Sequence, residues 1–269
     1  MHGTRTRFGL VCGEKTIVMN ASTTQLVNEP NLPTGAATMS TAMSTADRYA
    51  RYLYDCVKRW LKPPILEIGS GFGTYTQYLL RHGQVICADI DLACLEWAQR
   101  RYAGQDILTT RVDLNSVEQV RALGRYRFHS AFSTNVFEHV EQDQEALHAL
   151  RATMAPGGHL CLVVPSHPRL YGYMDEQAGH FRRYTRRNLG QTLRAAGWRV
   201  RRTFYVNALG GLGWWFNHRF LRPKPIDSAA INNQLLLYDR LLVPVARLTD
   251  WMWSRVFGLS VVAIASKDA

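Results

Sequence analysis

The chain has five cysteines, at 12, 56, 87, 94 and 161, and no two of them form a C-x-x-C pair. An odd set without that spacing excludes a small disulfide scaffold and the usual thiolate zinc patterns. Reduced cysteines packed inside a cytoplasmic protein are the expectation. No uncharged apolar run reaches the roughly 18 residues that a membrane-spanning helix needs. Residues 1–20 lack the continuous apolar stretch of a secretory signal, so none is expected. No internal repeat is visible. His129, His139, His148 and His159 are too scattered for a ligand pattern, so no metal is expected. Acidic residues are also short, 21 against 32 Lys and Arg, leaving a net charge of +11. That surplus, almost all arginine, suits nucleic acid, an anionic membrane or an acidic substrate, or it is a compositional habit. No dedicated nucleic-acid module accompanies it.

What is present is an alternation of short apolar runs and helical patterns. At 269 residues, 46% of them hydrophobic, the chain can bury one sizeable core. Residues 21–46, rich in Thr, Ser, Ala, Asn and Pro, have no hydrophobic period, and 1–46 reads as a mobile extension before a domain at 47–269. Asp47 can cap a first helix through Tyr49, Leu53 and Trp60. Strands are predicted at 65–68, 84–88, 106–110, 128–133, 158–164, 198–205 and 259–265. Helices are predicted at about 73–82, 92–102, 141–154 and 186–197, with a short one after Ser116. This order gives an α/β fold: a mostly parallel sheet with right-handed crossovers, helices on both faces, and the ligand at the carboxyl ends of the strands. Residues 165–185 and 207–256 interrupt the pattern as two insertions.

The most informative segment is Ile65-Leu66-Glu67-Ile68-Gly69-Ser70-Gly71-Phe72-Gly73-Thr74, a buried strand, an acid, a glycine turn and a helix start. The turn's N–H groups favour electron-rich ligand atoms. Glu67 would repel a pyrophosphate and attract an ammonium, and Thr74 stands where a dinucleotide fingerprint wants glycine. Asp89 ends the next strand at the spacing of a ribose-binding acid, and Asp113 follows the third strand. Singly each is a loop acid or a cap; three strand-end acids beside one glycine turn point to one ligand.

With Phe132-Ser133-Thr134-Asn135-Val136-Phe137-Glu138-His139-Val140 and Ala155-Pro156-Gly157-Gly158, these residues resemble the class I S-adenosylmethionine-dependent methyltransferases over roughly 60–200. The resemblance implies a Rossmann-like seven-stranded sheet whose last strand is antiparallel, beside strand six. It implies S-adenosylmethionine as cofactor, with Glu67, Gly69, Gly71 and Gly73 at its methionine end. Asp89 with Ile90 would meet the ribose, Asp113 with Leu114 the adenine, and Asn135 would line the site.

Methyl transfer to a hydroxyl or amine needs alignment and removal of a proton. Two histidines are candidates for the base: His139 beyond strand four and His180 in the first insertion, with Glu138 as an orienting partner. Each reads equally as a polar structural residue. Tyr173, Arg182 and Tyr184 in the first insertion and Trp214 and Trp215 in the second are candidate substrate contacts. Arg182, Arg183, Arg186 and Arg187 suit an anionic group or a solvated helix start, with Thr185 as its cap. The aromatic and leucine-rich 207–256 segment reads as a helical cap on the sheet, a cover for a hydrophobic substrate, or a peripheral membrane contact. The expected function is methylation of a small molecule, a saccharide, lipid-linked or secondary-metabolite acceptor. An RNA methyltransferase stays open, although no Asn/Asp-Pro-Pro-Tyr/Phe motif follows strand four. So does a binding protein or cyclase that transfers no methyl.

Overall fold

The computed structural model describes residues 9–12, 15–20, 23–25, 46–220 and 229–268. Three short strands, β1 (Gly9–Cys12), β2 (Lys15–Asn20) and β3 (Thr23–Gln25), pair antiparallel in a sheet of their own. The expectation of mobility for the rest of the extension, including 26–45, lies outside the described residues.

Helix α1 (Asp47–Val57) begins the main body. Asp47 is not its cap. It lies inside the first turn, where its carboxylate accepts from the Tyr78 hydroxyl. The free N–H groups of Arg48 and Tyr49 are instead taken by Asp239, at 3.4 and 2.8 Å, from a helix 190 residues away in sequence. A cap supplied through tertiary contact leaves no local signal.

Strand β4 (Ile65–Ile68) is buried at every position, as a central parallel strand must be. It is followed by α2 (Thr76–Leu79), β5 (Val85–Asp89), α3 (Leu92–Arg101), β6 (Ile107–Arg111), α4 (Val117–Ala122), β7 (Phe128–Thr134), α5 (Asp143–Thr153) and β8 (Met154–Pro165). The first insertion carries α6 (Tyr173–Ala178); then come α7 (Arg186–Ala195), β9 (Arg199–Val206), α8 (Ala208–Phe220), α9 (Ala229–Trp253) and β10 (Ser260–Ser266). The seven-stranded sheet runs β6-β5-β4-β7-β8-β10-β9, with β10 antiparallel to both neighbours, as the resemblance implies. Helix α2 is shorter than predicted because the glycine turn extends to Tyr75, and β8 is longer because it begins at Met154. Thr185 caps α7 as expected, accepting from Asn188 N–H.

Two apolar clusters flank the sheet. One packs Leu147, Leu150, Leu189 and Leu193 from α5 and α7 on Leu66, Ile86, Leu160 and Ala263. The other packs Leu53, Val57 and Val243 from α1 and α9 on Ile65, Cys87, Phe132 and Val262. At about 25 cal/mol per Å² of apolar area these faces supply the main favourable term of folding. They hold the carboxyl edge of β4, β5 and β7 rigidly in register.

Candidate active site

The chain order reverses between β4 and β7, so their carboxyl ends border a crevice. Gly69 turns there with φ +69°, and a Cβ on it would lie 2.2 Å from Val136 Cγ2, just beyond β7. The two strand ends therefore touch through a contact that only glycine permits. Gly73 is held from the other side, its carbonyl accepting from the Tyr102 hydroxyl at 2.7 Å. Gly71 N–H donates to Asp89 Oδ2 at 2.8 Å, and Asp91 N–H donates to Asp89 Oδ1 at 3.0 Å. Asp89 thus shapes the glycine turn as well as ending β5.

Glu67, the third residue of β4, is 2% exposed, its Oε2 accepting from the Thr76 hydroxyl and, at 3.4 Å, from Cys87 Sγ. Burial pushes its carboxyl up to about 7 against the pull of those two bonds. Asp113 Oδ1 accepts from Asn115 N–H at 2.9 Å, closing a turn after β6. Ile90 is exposed at the end of β5, Leu114 packs partly against the core, and Asn135 is exposed at φ +52°. All nine residues of the expected cofactor set fall on this edge or its turns. The Ser70 and Ser133 hydroxyls, at the ends of β4 and β7, are buried without a hydrogen-bond partner among the described residues.

Beside this crevice the fold gathers a polar cluster from two distant segments. The His139 and His180 rings meet edge to face, 4.7 Å between centroids. His180 Nδ1 lies 2.7 Å from Asp175 Oδ1, and Nε2 lies 3.9 Å from Glu138 Oε1. Arg183 Nε donates to Asp175 Oδ1 at 2.7 Å and Gly172 N–H to Oδ2 at 3.0 Å. Burial raises the Asp175 carboxyl, but the His180 and Arg183 hydrogen bonds outweigh it and hold the group below its ordinary value. Glu138 is 0% exposed, neither oxygen has a hydrogen-bond partner among the described residues, and burial lifts it to about 8. Burial, then the neighbouring His180, push His139 down to about 4.

The expected substrate contacts divide. Tyr173 is exposed on α6, where its hydroxyl accepts from Gln177 at 2.9 Å. Trp214 lies over the Arg183 guanidinium, 4.9 Å from ring centroid to Cζ, and so joins α8 to the first insertion; Trp215 is half exposed beside it. Tyr184 corrects the expectation. It is buried, and its hydroxyl donates to the Phe137 carbonyl at 3.1 Å and to Asp143 Oδ2 at 2.7 Å, so it packs the core instead of facing a ligand. Arg182 is likewise committed, to Asp143 at 3.1 Å and to the Glu141 carbonyl at 2.6 Å, which leaves its fork occupied by the protein itself. Asp175 and Arg183 enter the cluster without having been read as site residues. Asp175 lies in a stretch whose sequence shows no helical period, and Arg183 belongs to the run that suits an anionic group or a solvated helix start.

The two helices of the second insertion reach different parts of the molecule. Helix α8 meets the first insertion, while α9 lies along α1 and anchors there through Asp239 and through Asp250, which accepts from Tyr52 OH, Asn207 N–H and Ala208 N–H.

The family profile described as a methyltransferase domain matches residues 43–203. Among solved structures, the chain is similar to a SAM-dependent methyltransferase from Archaeoglobus fulgidus, with 17% identity over 84% of this chain and 95% of that one, TM-score 0.54. It is similar to the [4+2]-cyclase SpnF, at 16% identity over 83% and 81%, TM-score 0.55. A third likeness is to an S-adenosylmethionine-dependent methyltransferase from Mesorhizobium loti, at 15% identity over 80% and 98%, TM-score 0.53. No curated protein sequence matches.

Proposed function

The chain belongs to the methyltransferase-domain family of S-adenosylmethionine-dependent enzymes, and on that premise we propose that it methylates an oxygen or nitrogen of a small, apolar acceptor. The edge fits the cofactor. Glu67 offers a desolvated carboxylate to an ammonium, the glycine turn presents backbone without side chains of its own at the strand ends, and the Ser70 and Ser133 hydroxyls, unpartnered among the described residues, supply polar atoms. Bound there, the cofactor would supply an electrophilic methyl group on a positively charged sulfur. The protein's own tasks are to align the acceptor and to deal with its proton.

The observation that carries the reading is the cluster of Glu138, His139 and His180 beside the switch point, with Asp175 fixing the His180 ring. An acceptor lying between this cluster and the glycine turn would meet these polar groups and, next to them, the Trp214 ring that stacks on Arg183. Proton removal belongs to the cluster as a unit, and His180, half-buried and oriented, is its accessible member.

The exposed apolar stripe of α9, Leu237, Leu241, Val245, Leu248 and Met252 with Trp251, supports an amphipathic contact with an anionic membrane, where apolar acceptors reside. Arg240 and Arg255, exposed on the same stretch, would face the lipid headgroups. No helix among the described residues is long and apolar enough to cross a membrane.

The test is formation of S-adenosylhomocysteine with apolar hydroxyl and amine acceptors. His180→Ala should lower kcat by about 10² or more with cofactor affinity unchanged. Equal turnover by wild type and variant would remove the cluster from the reaction.

A further inference from the structure

Two imidazoles and a carboxyl group converge beside β7. The Asp175 carboxylate, already held by Arg183 and Gly172, accepts from His180 Nδ1–H at 2.7 Å. That tautomer leaves a lone pair on His180 Nε2, which faces Glu138 Oε1 at 3.9 Å, too far for a hydrogen bond. Neither Glu138 oxygen has a hydrogen-bond partner among the described residues, although the side chain is wholly buried. One donor atom each from Glu138, His139 and His180 lie within 4.8 Å of one another. Ionised, a buried carboxyl facing imidazole nitrogens is costly unless a cation completes the group, and a bound ion would hold Glu138 in that form.

We propose that Glu138, His139 and His180 bind a divalent first-row transition ion through two imidazoles and one carboxylate. The ligand chemistry selects the ion, because imidazole suits zinc, iron or cobalt, whereas magnesium and calcium prefer an all-oxygen shell. Bonds of about 2.0–2.2 Å place two donors of one ion about 3 to 3.5 Å apart, so small side-chain rotations close the set. The surroundings are those of a metal site as well. A ligating histidine normally gives its second ring nitrogen to a carboxylate, as His180 does to Asp175. His139 and His180 keep partial exposure, which leaves room for an oxygen of the acceptor in an open coordination position. That last role rests on the methyl-transfer reading; binding of the ion does not. With the ion bound, the imidazole lone pairs are taken up by the metal, and an acceptor hydroxyl held there would lose its proton to water more readily; the imidazoles themselves accept the proton only in the ion-free protein.

The experiment titrates Co²⁺ into the chelator-treated full chain and follows visible d–d absorption, calorimetric stoichiometry and melting temperature, with Zn²⁺ as competitor. One equivalent should bind and raise the melting temperature. His180→Ala and Glu138→Gln should each weaken binding at least tenfold, and Asp175→Asn by about 10- to 100-fold. His148→Ala, exposed on α5 and outside the cluster, should bind as wild type does. Glu138 is buried and its variant can misfold, so His180→Ala, checked by circular dichroism, decides in that event. No saturable Co²⁺ or Zn²⁺ binding up to millimolar concentration, or equal binding by wild type and His180→Ala, would overturn the proposal. The titration needs no methyl donor, so its failure beside intact methyl transfer would leave the enzymatic reading standing.

Discussion

The Glu67 carboxyl sets a pH dependence on cofactor binding that can be worked out in advance. Burial raises it to about 7, with the Thr76 and Cys87 hydrogen bonds pulling the other way and Asp89 adding a smaller upward push. In the unliganded protein this raised group contributes stability below its unfolded value, near 4.5, that is lost as pH rises through 7. A cationic amino group beside Glu67 needs the ionised form. Below pH 7 a proton must therefore leave as the cofactor binds, and above it none need leave. Affinity should climb about tenfold per pH unit up to 7 and then level, which makes it about 30-fold weaker at pH 5.5 than on the plateau. Glu67→Gln removes the charge, and a hydrogen bond to a charged group is worth about 1.5–3 kcal/mol. The variant should bind about 10- to 100-fold more weakly at pH 7.5, with a flat profile. Calorimetry at pH 5.5, 6.5 and 7.5, in two buffers of different ionisation heat, measures both the affinity and the released proton. A wild-type affinity that is level across this range with no proton release, or a Gln variant that binds equally well, would refute the assignment of Glu67 to the amino group.

Gly69→Ala forces a side chain into left-handed backbone and against Val136 at 2.2 Å; about 1–3 kcal/mol of backbone strain plus displacement of Val136 should lower the urea midpoint and weaken cofactor binding together. Tyr184→Phe removes the hydroxyl proton shared between Asp143 and the Phe137 carbonyl and should cost about 1–3 kcal/mol of stability while kcat stays within a few-fold, and a large fall in kcat at unchanged stability would restore its place among the substrate contacts. Full-length protein should float with anionic vesicles and not with zwitterionic ones, and Leu248→Asp with Trp251→Asp should abolish flotation; no vesicle binding by wild type would leave the α9 stripe without that role.

The sheet was readable because its strands carry their own signals. Apolar runs of four to seven residues, bounded by Gly, Pro and Asp, fix the period and the order, and the glycine turn marks the edge where a ligand belongs. What the sequence hid was interaction at a distance. The cap of α1 comes from Asp239, so the local candidate, Asp47, was chosen in its place. Tyr184 and Arg182 look like surface groups in a basic run, yet Asp143 on another helix takes both. Histidine spacing along the chain could not show the polar cluster, since Glu138 and His139 follow β7 while Asp175 and His180 flank the end of α6 in the first insertion. The one local hint was His180 among arginines and aromatics, and the Asp175 carboxylate that gives it direction has no sequence signature.

The most direct test of the account is a crystal structure of the full chain with S-adenosylhomocysteine, read for the distance between the ligand's sulfur and the nearest imidazole of the cluster. A methyl group, an acceptor atom at about 3 Å and one hydrogen bond span about 8 Å at most. The account predicts the amino group on Glu67, the sulfur facing His139 and His180, and a separation within that span. A sulfur turned away, with both imidazoles well over about 10 Å distant, exceeds any such reach and would contradict it.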